Sequence, residues 1–67
     1  MKLYELPANS GIKIFEKCTD GSEYVEFHHL DGAYSYCVTE HGGVVHLLAG
    51  TPLVKTEQGY EIVKENI

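Results

Sequence analysis

Three glycine-containing dipeptides mark the middle of the 67-residue chain at regular intervals. They are Asp20-Gly21, Asp31-Gly32 and Gly42-Gly43, each 11 residues after the one before it. A two-residue type I′ turn requires positive φ at both central positions, which these pairs tolerate and most others do not. The segments between them have the length of β-strands. This spacing predicts an all-β chain built from hairpins.

The turn at Asp31-Gly32 fixes the pairing of its two strands if it is a two-residue loop, because a slip of one residue sends every side chain to the opposite face. Phe27 then lies opposite Tyr36. Val25 similarly lies opposite Val38. These four side chains form one apolar face. The predicted second face carries the more polar residues of the same strands: Tyr24, Glu26, His28, Ser35, Cys37 and Thr39.

The other two dipeptides predict the same apolar face independently. With the first dipeptide as a two-residue loop, Ile14 lies opposite Phe27 on that face. With the third as a two-residue loop, Leu47 lies opposite Val38. Agreement among three turns is stronger support for a fold than any single residue preference.

A last hairpin and a short N-terminal strand complete the predicted sheet. Glu57-Gln58-Gly59 suits a three-residue loop, which pairs Val54 with Ile62. Residues 3–6 are expected to form an edge strand. The full prediction is a strand near each of six ranges: 12–18, 23–30, 33–40, 44–49, 52–56 and 60–64.

A helix over residues 21–30 is the alternative for the second strand. Asp20 and Glu23 have the spacing of a capping box, which is typical of a helix N-terminus. The aromatic and β-branched residues of this segment instead favour a strand. A helix would also leave the following turn without a partner strand, so we prefer the hairpin.

A sheet with one apolar face needs a second layer to cover it. No segment has both the length and the 3.6-residue period of a convincing amphipathic helix. We therefore predict one domain over residues 1–67, an antiparallel meander of five to six strands. It closes into a small barrel or roll at the scale of Src-homology-3-like barrels, or it stacks against a second copy as a dimer.

The charge balance restricts the partners of the chain. Ten acidic residues stand against five lysines, and arginine is absent, which gives a formal net charge of −5. Binding of nucleic acid relies on clustered lysine and arginine, so we expect no direct nucleic-acid partner. No run of apolar residues is long enough to span a membrane. The N-terminal residues are too polar for an export signal, so we expect a cytoplasmic protein with Cys18 and Cys37 as free thiols.

The second face of the predicted sheet is the candidate binding surface. Tyrosine is enriched at protein interfaces, because its ring supplies a large contact area at low entropic cost. A metal site from His28, Cys37 and His46 would lie within reach across the strands, but the spacing matches no zinc motif. We therefore predict no metal and no other cofactor. The candidate binding residues are Tyr24, Glu26, His28, Tyr34, Cys37 and His46.

The leading functional prediction is a non-enzymatic protein-interaction module. A nucleophilic cysteine needs a lowered thiol pKa and a base held in reach, and Cys37 lies in mid-strand without a helix N-terminus beside it. The acidic balance favours a basic or neutral protein partner, and self-association is a second expectation. One alternative is an acidic accessory protein of the phage or mobile-element type that inhibits a nucleic-acid-binding enzyme. Another is a small metal- or ligand-binding protein.

Overall fold

The computed structural model describes residues 1–63. Their fold is β-dominated, with one sheet of six short strands. All six strands overlap the predicted ranges. No helix among these residues is long and apolar enough to cross a membrane. The order across the sheet is β4-β3-β2-β1-β6-β5. The strands are β1 (Lys13–Phe15), β2 (Val25–Asp31), β3 (Tyr34–Thr39), β4 (Val44–Val45), β5 (Leu53–Lys55) and β6 (Tyr60–Ile62).

The sheet is mixed rather than an antiparallel meander. β1 pairs with β2 in the antiparallel direction but with β6 in parallel, where Ile14 lies opposite Tyr60. The final hairpin therefore joins the sheet on the far side of β1. β4 and β5 stand at opposite ends of the sheet, so the described residues do not close into a barrel. Closure requires pairing between the end strands, and here those strands are only two and three residues long.

The N-terminal segment supplies part of the second layer. Residues Leu3–Glu5 form a 3-10 helix instead of the predicted edge strand. The Met1 ammonium donates to the Leu53 carbonyl at 3.0 Å, and the Leu53 N–H donates to the Met1 carbonyl at 2.7 Å. These bonds hold the segment along β5, so that Leu3 and Leu6 join the core cluster. The buried apolar residues are Leu3, Leu6, Ile14, Val25, Phe27, Cys37 and Leu53.

The first hairpin confirms the predicted face, although its register differs. Ile14 lies opposite Val25 and not opposite Phe27. A shift of two residues leaves each side chain on the same face, because side chains alternate with a period of two. Ile14, Val25 and Phe27 are accordingly buried together. The connection from β1 is a long loop over residues 16–24, and residues 25–31 form β2 rather than the alternative helix.

The register of β2 and β3 is where the predicted faces are wrong. Asp31 pairs with Tyr34, so Gly32 and Ala33 form the turn, with Gly32 at a φ of 65°. The register then shifts between Phe27 and His29, which is a β-bulge in β2. Beyond the bulge, the partner of Phe27 is Cys37, one residue nearer the turn than the Val38 that regular pairing would give. Regular pairing from a loop at Asp31-Gly32 predicts neither the shifted turn nor the bulge.

The consequence is that β3 presents its other side to the core. Phe27 lies opposite Cys37, and Val25 lies opposite Thr39. Ser35, Cys37 and Thr39 are therefore buried, whereas Tyr36 and Val38, predicted to be in the core, are only partly buried on the opposite face. Small side chains suit the inner side of β3, because the large Phe27 ring and the N-terminal leucines already fill a thin core.

The turn between β3 and β4 is one residue longer than predicted. The Thr39 N–H donates to the Gly43 carbonyl at 2.8 Å, so residues 40–42 form the loop, with Gly42 at a φ of 88°. Val44 lies opposite Val38, and the predicted pairing of Leu47 with Val38 is wrong. Leu47 still packs against the core cluster.

The loop of the last hairpin is one residue shorter than predicted, because it spans residues 57–58 instead of 57–59. The Thr56 N–H donates to the Gly59 carbonyl at 2.8 Å, and Leu53, not Val54, lies opposite Ile62. Leu53 is consequently buried, while Val54 is 48% exposed. A Cβ atom on Gly59 would lie 2.5 Å from the Lys13 carbonyl oxygen, so glycine permits the close approach of β1. The predicted end of this strand at residue 64 lies outside the described residues.

Candidate functional site

The face of the sheet that points away from the core carries aromatic, imidazole and apolar side chains. Tyr36 and Val38 alternate with the buried residues of β3 and so point outwards. Val44 lies opposite Val38, and Leu48 forms an isolated bridge with Tyr34. We call this surface the outer face. It consists of His28, His29, Tyr34, Tyr36, Val38, Val44, His46 and Leu48.

The Tyr36 ring is the centre of the outer face. The His29 ring stacks on it, with centroids 5.2 Å apart and an interplanar angle of 10°. His28 and His46 meet the same ring edge-on, at centroid distances of 5.7 and 5.8 Å. Three of the four histidines of the chain are thus gathered around one phenol ring.

The β-bulge explains why two consecutive histidines share this face. Neighbouring residues of a regular strand point to opposite faces, but the bulge between Phe27 and His29 breaks that alternation. The Nδ1 atoms of His28 and His29 lie 2.8 Å apart. Because an imidazole that accepts at Nδ1 is neutral, at least one of the two rings is unprotonated when this bond forms.

His46 is oriented by the backbone of β3. Its Nδ1 lies 3.0 Å from the Ser35 carbonyl oxygen, so this nitrogen is the donor and Nε2 is left as the second ring nitrogen. The buried Ser35 hydroxyl donates to the Leu47 carbonyl at 3.0 Å and accepts from the Leu47 N–H at 3.2 Å. Ser35 therefore holds the chain after β4 against β3.

The structure brings together four of the six predicted binding residues. Glu26, His28, Tyr34 and His46 point to the same side of the sheet as Tyr36, with Glu26 opposite Val38. Tyr24 packs against Phe15 at a centroid distance of 5.7 Å and lies under the Lys13 ammonium. The sixth residue, Cys37, is separated from the others.

Cys37 lies in the core rather than on the predicted binding face. Burial raises the pKa of its thiol, and hydrogen bonds with the Ser35 hydroxyl and the His28 backbone oppose that rise only in part. The thiol is therefore protonated at neutral pH and points away from His28 and His46. Among residues 1–63, no group of three or more His, Cys, Asp or Glu side chains is arranged to hold a metal.

His29 and Tyr36 are the residues that sequence reasoning missed. Tyr36 was expected in the core, and His29 was expected to point to the opposite face from His28. The only signal in the sequence is the His28-His29 pair itself, which lies inside a strand of otherwise alternating character. No residue type nearby marks a bulge.

A second polar cluster joins the loop before β2 to the loop after β3. The Thr39 hydroxyl donates to the Asp20 carboxylate at 2.9 Å and accepts from the Gly43 N–H at 2.8 Å. The Ser22 hydroxyl lies 2.8 Å from His41 Nδ1 and accepts from the His41 N–H at 3.2 Å. We call this cluster the loop clamp.

The loop clamp has a structural role rather than that of a nucleophile and base. The Ser22 side chain is completely buried, and its oxygen is already committed to two atoms of His41. A nucleophile must reach a substrate. Hydrogen bonds from Ser22 and Thr39, with the nearby His41, lower the pKa of the Asp20 carboxyl.

Two grooves lie beside the loop between β1 and β2. The first, of about 400 Å³, is lined by Cys18, Val45 and Leu47 among others. Burial, with the nearby charges of Asp20 and Glu16, raises the pKa of the Cys18 thiol, which is the opposite of what a reactive cysteine needs. The second groove, of about 500 Å³, has four carboxylates in its lining: Glu16, Glu23, Glu57 and Glu61.

No family model matches the chain, and no curated protein or solved structure matches it significantly. The geometry of the outer face therefore carries the functional inference.

Proposed function

We propose that this protein is a non-enzymatic interaction module that binds a neutral or basic protein through its outer face. The observation that carries the proposal is the exposure of apolar side chains on that face, around the Tyr36 ring. Tyr34 is 51% exposed, Val44 is 47% exposed and Leu48 is 57% exposed. Exposed apolar patches with a polar rim mark interaction sites in soluble proteins.

The two faces of the sheet differ in how they are covered. The inner face packs against Leu3 and Leu6 of the N-terminal segment. The outer face has no second layer among residues 1–63. Tyrosine and histidine rings that already pack against one another lose little rotamer freedom when a partner binds, which supports a binding role for Tyr36.

Charge supports a neutral or basic partner. The chain has a formal net charge of −5, and the exposed Glu26 and Asp31 lie on β2 beside the outer face. An acidic rim attracts a basic partner and repels an acidic one. Both cysteines are free thiols, which supports our proposal of a cytosolic location, where thiols stay reduced.

Photo-crosslinking from matched tyrosine positions tests the proposal. Tyr34 on the outer face and Tyr4 on the N-terminal segment have similar exposure, 51% and 55%. A photoreactive phenylalanine analogue is placed at one position or the other in the full chain expressed in its native cell. We expect a defined protein adduct from position 34 and none from position 4. Equal adducts from both positions, or none from either, would contradict the proposal.

Binding to the captured protein then gives the energetic test. Aromatic hot-spot residues of an interface typically contribute about 2 kcal/mol or more, so Tyr34→Ala should weaken binding by about 30-fold. Tyr4→Ala should change it by less than about twofold, because rim and distant positions contribute little. Similar losses in the two variants would exclude the outer face as the binding surface.

A second copy of the chain is the other protein that the outer face could bind. Stacked sheets bury apolar faces against each other, so the exposed Val44 and Leu48 are consistent with self-association. Sedimentation equilibrium decides between the two partners. A mass twice that of the 7.5 kDa chain, restored to one chain by Leu48→Glu, would assign the outer face to a homodimer.

The groove lined by four glutamates favours a second candidate function, inhibition of a nucleic-acid-binding enzyme. Four glutamates and one lysine, Lys17, line this groove, so its charge is predominantly negative and can attract the basic surface that such an enzyme offers to DNA. Competition between this protein and DNA for such an enzyme, abolished by high salt, is the expected result. Glu57→Gln with Glu61→Gln should weaken the competition, and competition that persists in high salt would exclude this function.

A further inference from the structure

We propose that His28 and His29 form a bidentate site for a divalent transition-metal ion, with Cu²⁺ bound more tightly than Ni²⁺ or Zn²⁺. The proposal does not rest on the proposed protein partner. It differs from the set predicted from the sequence, which needed Cys37 and did not include His29.

The separation of the two ring nitrogens is the first observation. Their Nδ1 atoms lie 2.8 Å apart. Metal–imidazole bonds are about 2.0–2.1 Å long, so two cis nitrogens in square-planar or octahedral geometry are about 2.8–3.0 Å apart. For both Nδ1 atoms to bind one ion, the rings must turn so that both lone pairs point at it, and the ring that donates in the hydrogen bond must carry its proton on Nε2 instead of Nδ1. A tetrahedral ion requires a wider separation of about 3.3 Å, which favours Cu²⁺ and Ni²⁺ over Zn²⁺.

The β-bulge is the second, independent observation. A regular strand would place these two consecutive residues on opposite faces. The bulge interrupts the pairing of β2 with β3 between Phe27 and His29. Bulges occur beside functional sites, where they re-aim a side chain. Here the bulge brings two imidazoles to one point on the surface.

The surroundings fix one ligand and leave room for the ion. The His29 ring is stacked on Tyr36 with an interplanar angle of 10°, which limits its rotation. The His28 side chain is exposed, so water or a ligand from a partner can fill the remaining coordination positions. Two protein ligands and several open positions describe an exchangeable surface site, not a closed structural centre.

The order of the metals by affinity follows from the chemistry of the imidazole ligands. Neutral imidazole suits Cu²⁺, Ni²⁺ and Zn²⁺, and the affinity of nitrogen sites rises to a maximum at Cu²⁺. Hard oxygen-preferring ions should not bind, because the pair offers no carboxylate. Mg²⁺ is therefore the negative control.

The test is a titration of the full chain without a histidine tag, using CuCl₂ in a buffer that does not coordinate the ion. One Cu²⁺ per chain is expected at the His28–His29 site. His28→Asn and His29→Asn should each lower the apparent affinity by about tenfold or more, because chelation by two nitrogens is lost. His46→Asn is the matched control on the same face, and it should change the affinity by less than about threefold. Wild-type affinity in the doubly substituted variant would overturn the proposal, as would an equal loss in the His46 variant.

Spectroscopy identifies the ligands independently of affinity. The electron paramagnetic resonance spectrum of the Cu²⁺ complex should show splitting from two imidazole nitrogens. With diamagnetic Zn²⁺ at millimolar concentration, the ring proton resonances of His28 and His29 should shift, while those of His41 in the loop clamp stay in place. Shifts at His41 alone would assign the ion elsewhere. Proton spectra of each variant without metal show whether the fold is retained.

Discussion

The two faces of the β2–β3 hairpin are formed by the same 13 strand residues and have opposite characters. On the inner face, Val25, Phe27 and Cys37 are buried. On the outer face, Tyr36 is half-buried among three imidazoles, and His28 is exposed. Apolarity alone does not separate the two sets, because a tyrosine points outwards while a serine and a cysteine point inwards. The position of one bulge residue assigns each side chain to its face.

Single-residue deletions in β2 should have the largest effect on the difference between the two faces. Deletion of His28 removes the extra residue of the bulge and leaves Phe27 opposite Cys37 and His29 opposite Tyr36. The loss includes the hydrogen bond from the Asn9 N–H to the His28 carbonyl, so we expect destabilisation of about 1 kcal/mol with the fold retained. Deletion of Glu26 instead moves Val25 to the wrong face and should abolish folding.

Dispersion of the amide proton resonances distinguishes the two deletion variants. A dispersed spectrum for the His28 deletion and a collapsed one for the Glu26 deletion are the expected results. The His28 deletion should also lose the Cu²⁺ site, since only His29 remains. If both deletions unfold the chain, the bulge is not a separable insertion in β2.

Removing one aromatic ring from each face should give the next largest difference. Phe27 is buried, so Phe27→Ala should cost about 3–5 kcal/mol, which combines lost burial with a cavity. Tyr36 is partly exposed, and Tyr36→Ala should cost about 1 kcal/mol. Urea denaturation followed by circular dichroism measures both. Equal costs would show that the outer face contributes to the core as much as the inner face does.

The sequence predicted the elements well and the faces of β3 poorly, for a physical reason. The glycines and β-favouring residues place all six strands, because turn chemistry and strand propensity are local. The faces of β3 depend on the bulge in β2, because the turn alone shifts the pairing by two residues and so leaves each side chain on its predicted face. The sequence of β3 does not decide which of its faces is buried, because Tyr36 and Val38 on one side and Cys37 on the other are all compatible with a core.

The candidate site was predicted only in part for the same reason. His28 and His46 were assigned to one face by alternation, Tyr34 was chosen as a tyrosine near a strand end, and all three lie on the outer face. Cys37 was added because the predicted register of β3 was wrong. Tyr36 was omitted for that reason too. His29 was omitted because a bulge depends on how two strands pair, which neither strand's own sequence determines. Residue preferences therefore do not predict the bulge.

A smaller effect is expected where the inner face ends at the loop clamp. Thr39→Val keeps the shape of the side chain but removes the hydroxyl that joins Asp20 to the Gly43 N–H. Loss of two hydrogen bonds should cost about 1–2 kcal/mol. Thr56→Val is the matched control, because the Thr56 hydroxyl accepts only an exposed bond from the Gln58 N–H. A cost for the Thr56 variant as large as that for the Thr39 variant would show that burial of the hydroxyl does not matter.

Acid should produce the smallest change, and its direction follows from the pKa of Asp20. Hydrogen bonds from Ser22 and Thr39 lower this pKa in the folded chain, so Asp20 binds its proton less readily when folded than when unfolded. Its stabilising contribution is present above the ordinary value of about 4 and is lost as the pH falls below it. Because Asp20 is exposed, solvent keeps the contribution small. Between pH 5 and pH 2.5, Asp20→Asn should flatten the loss of unfolding free energy relative to wild type, and the charge-matched Asp31→Asn should flatten it less. A steeper dependence in Asp20→Asn would mean that the carboxylate opposes folding and that the clamp does not hold the edge of the inner face.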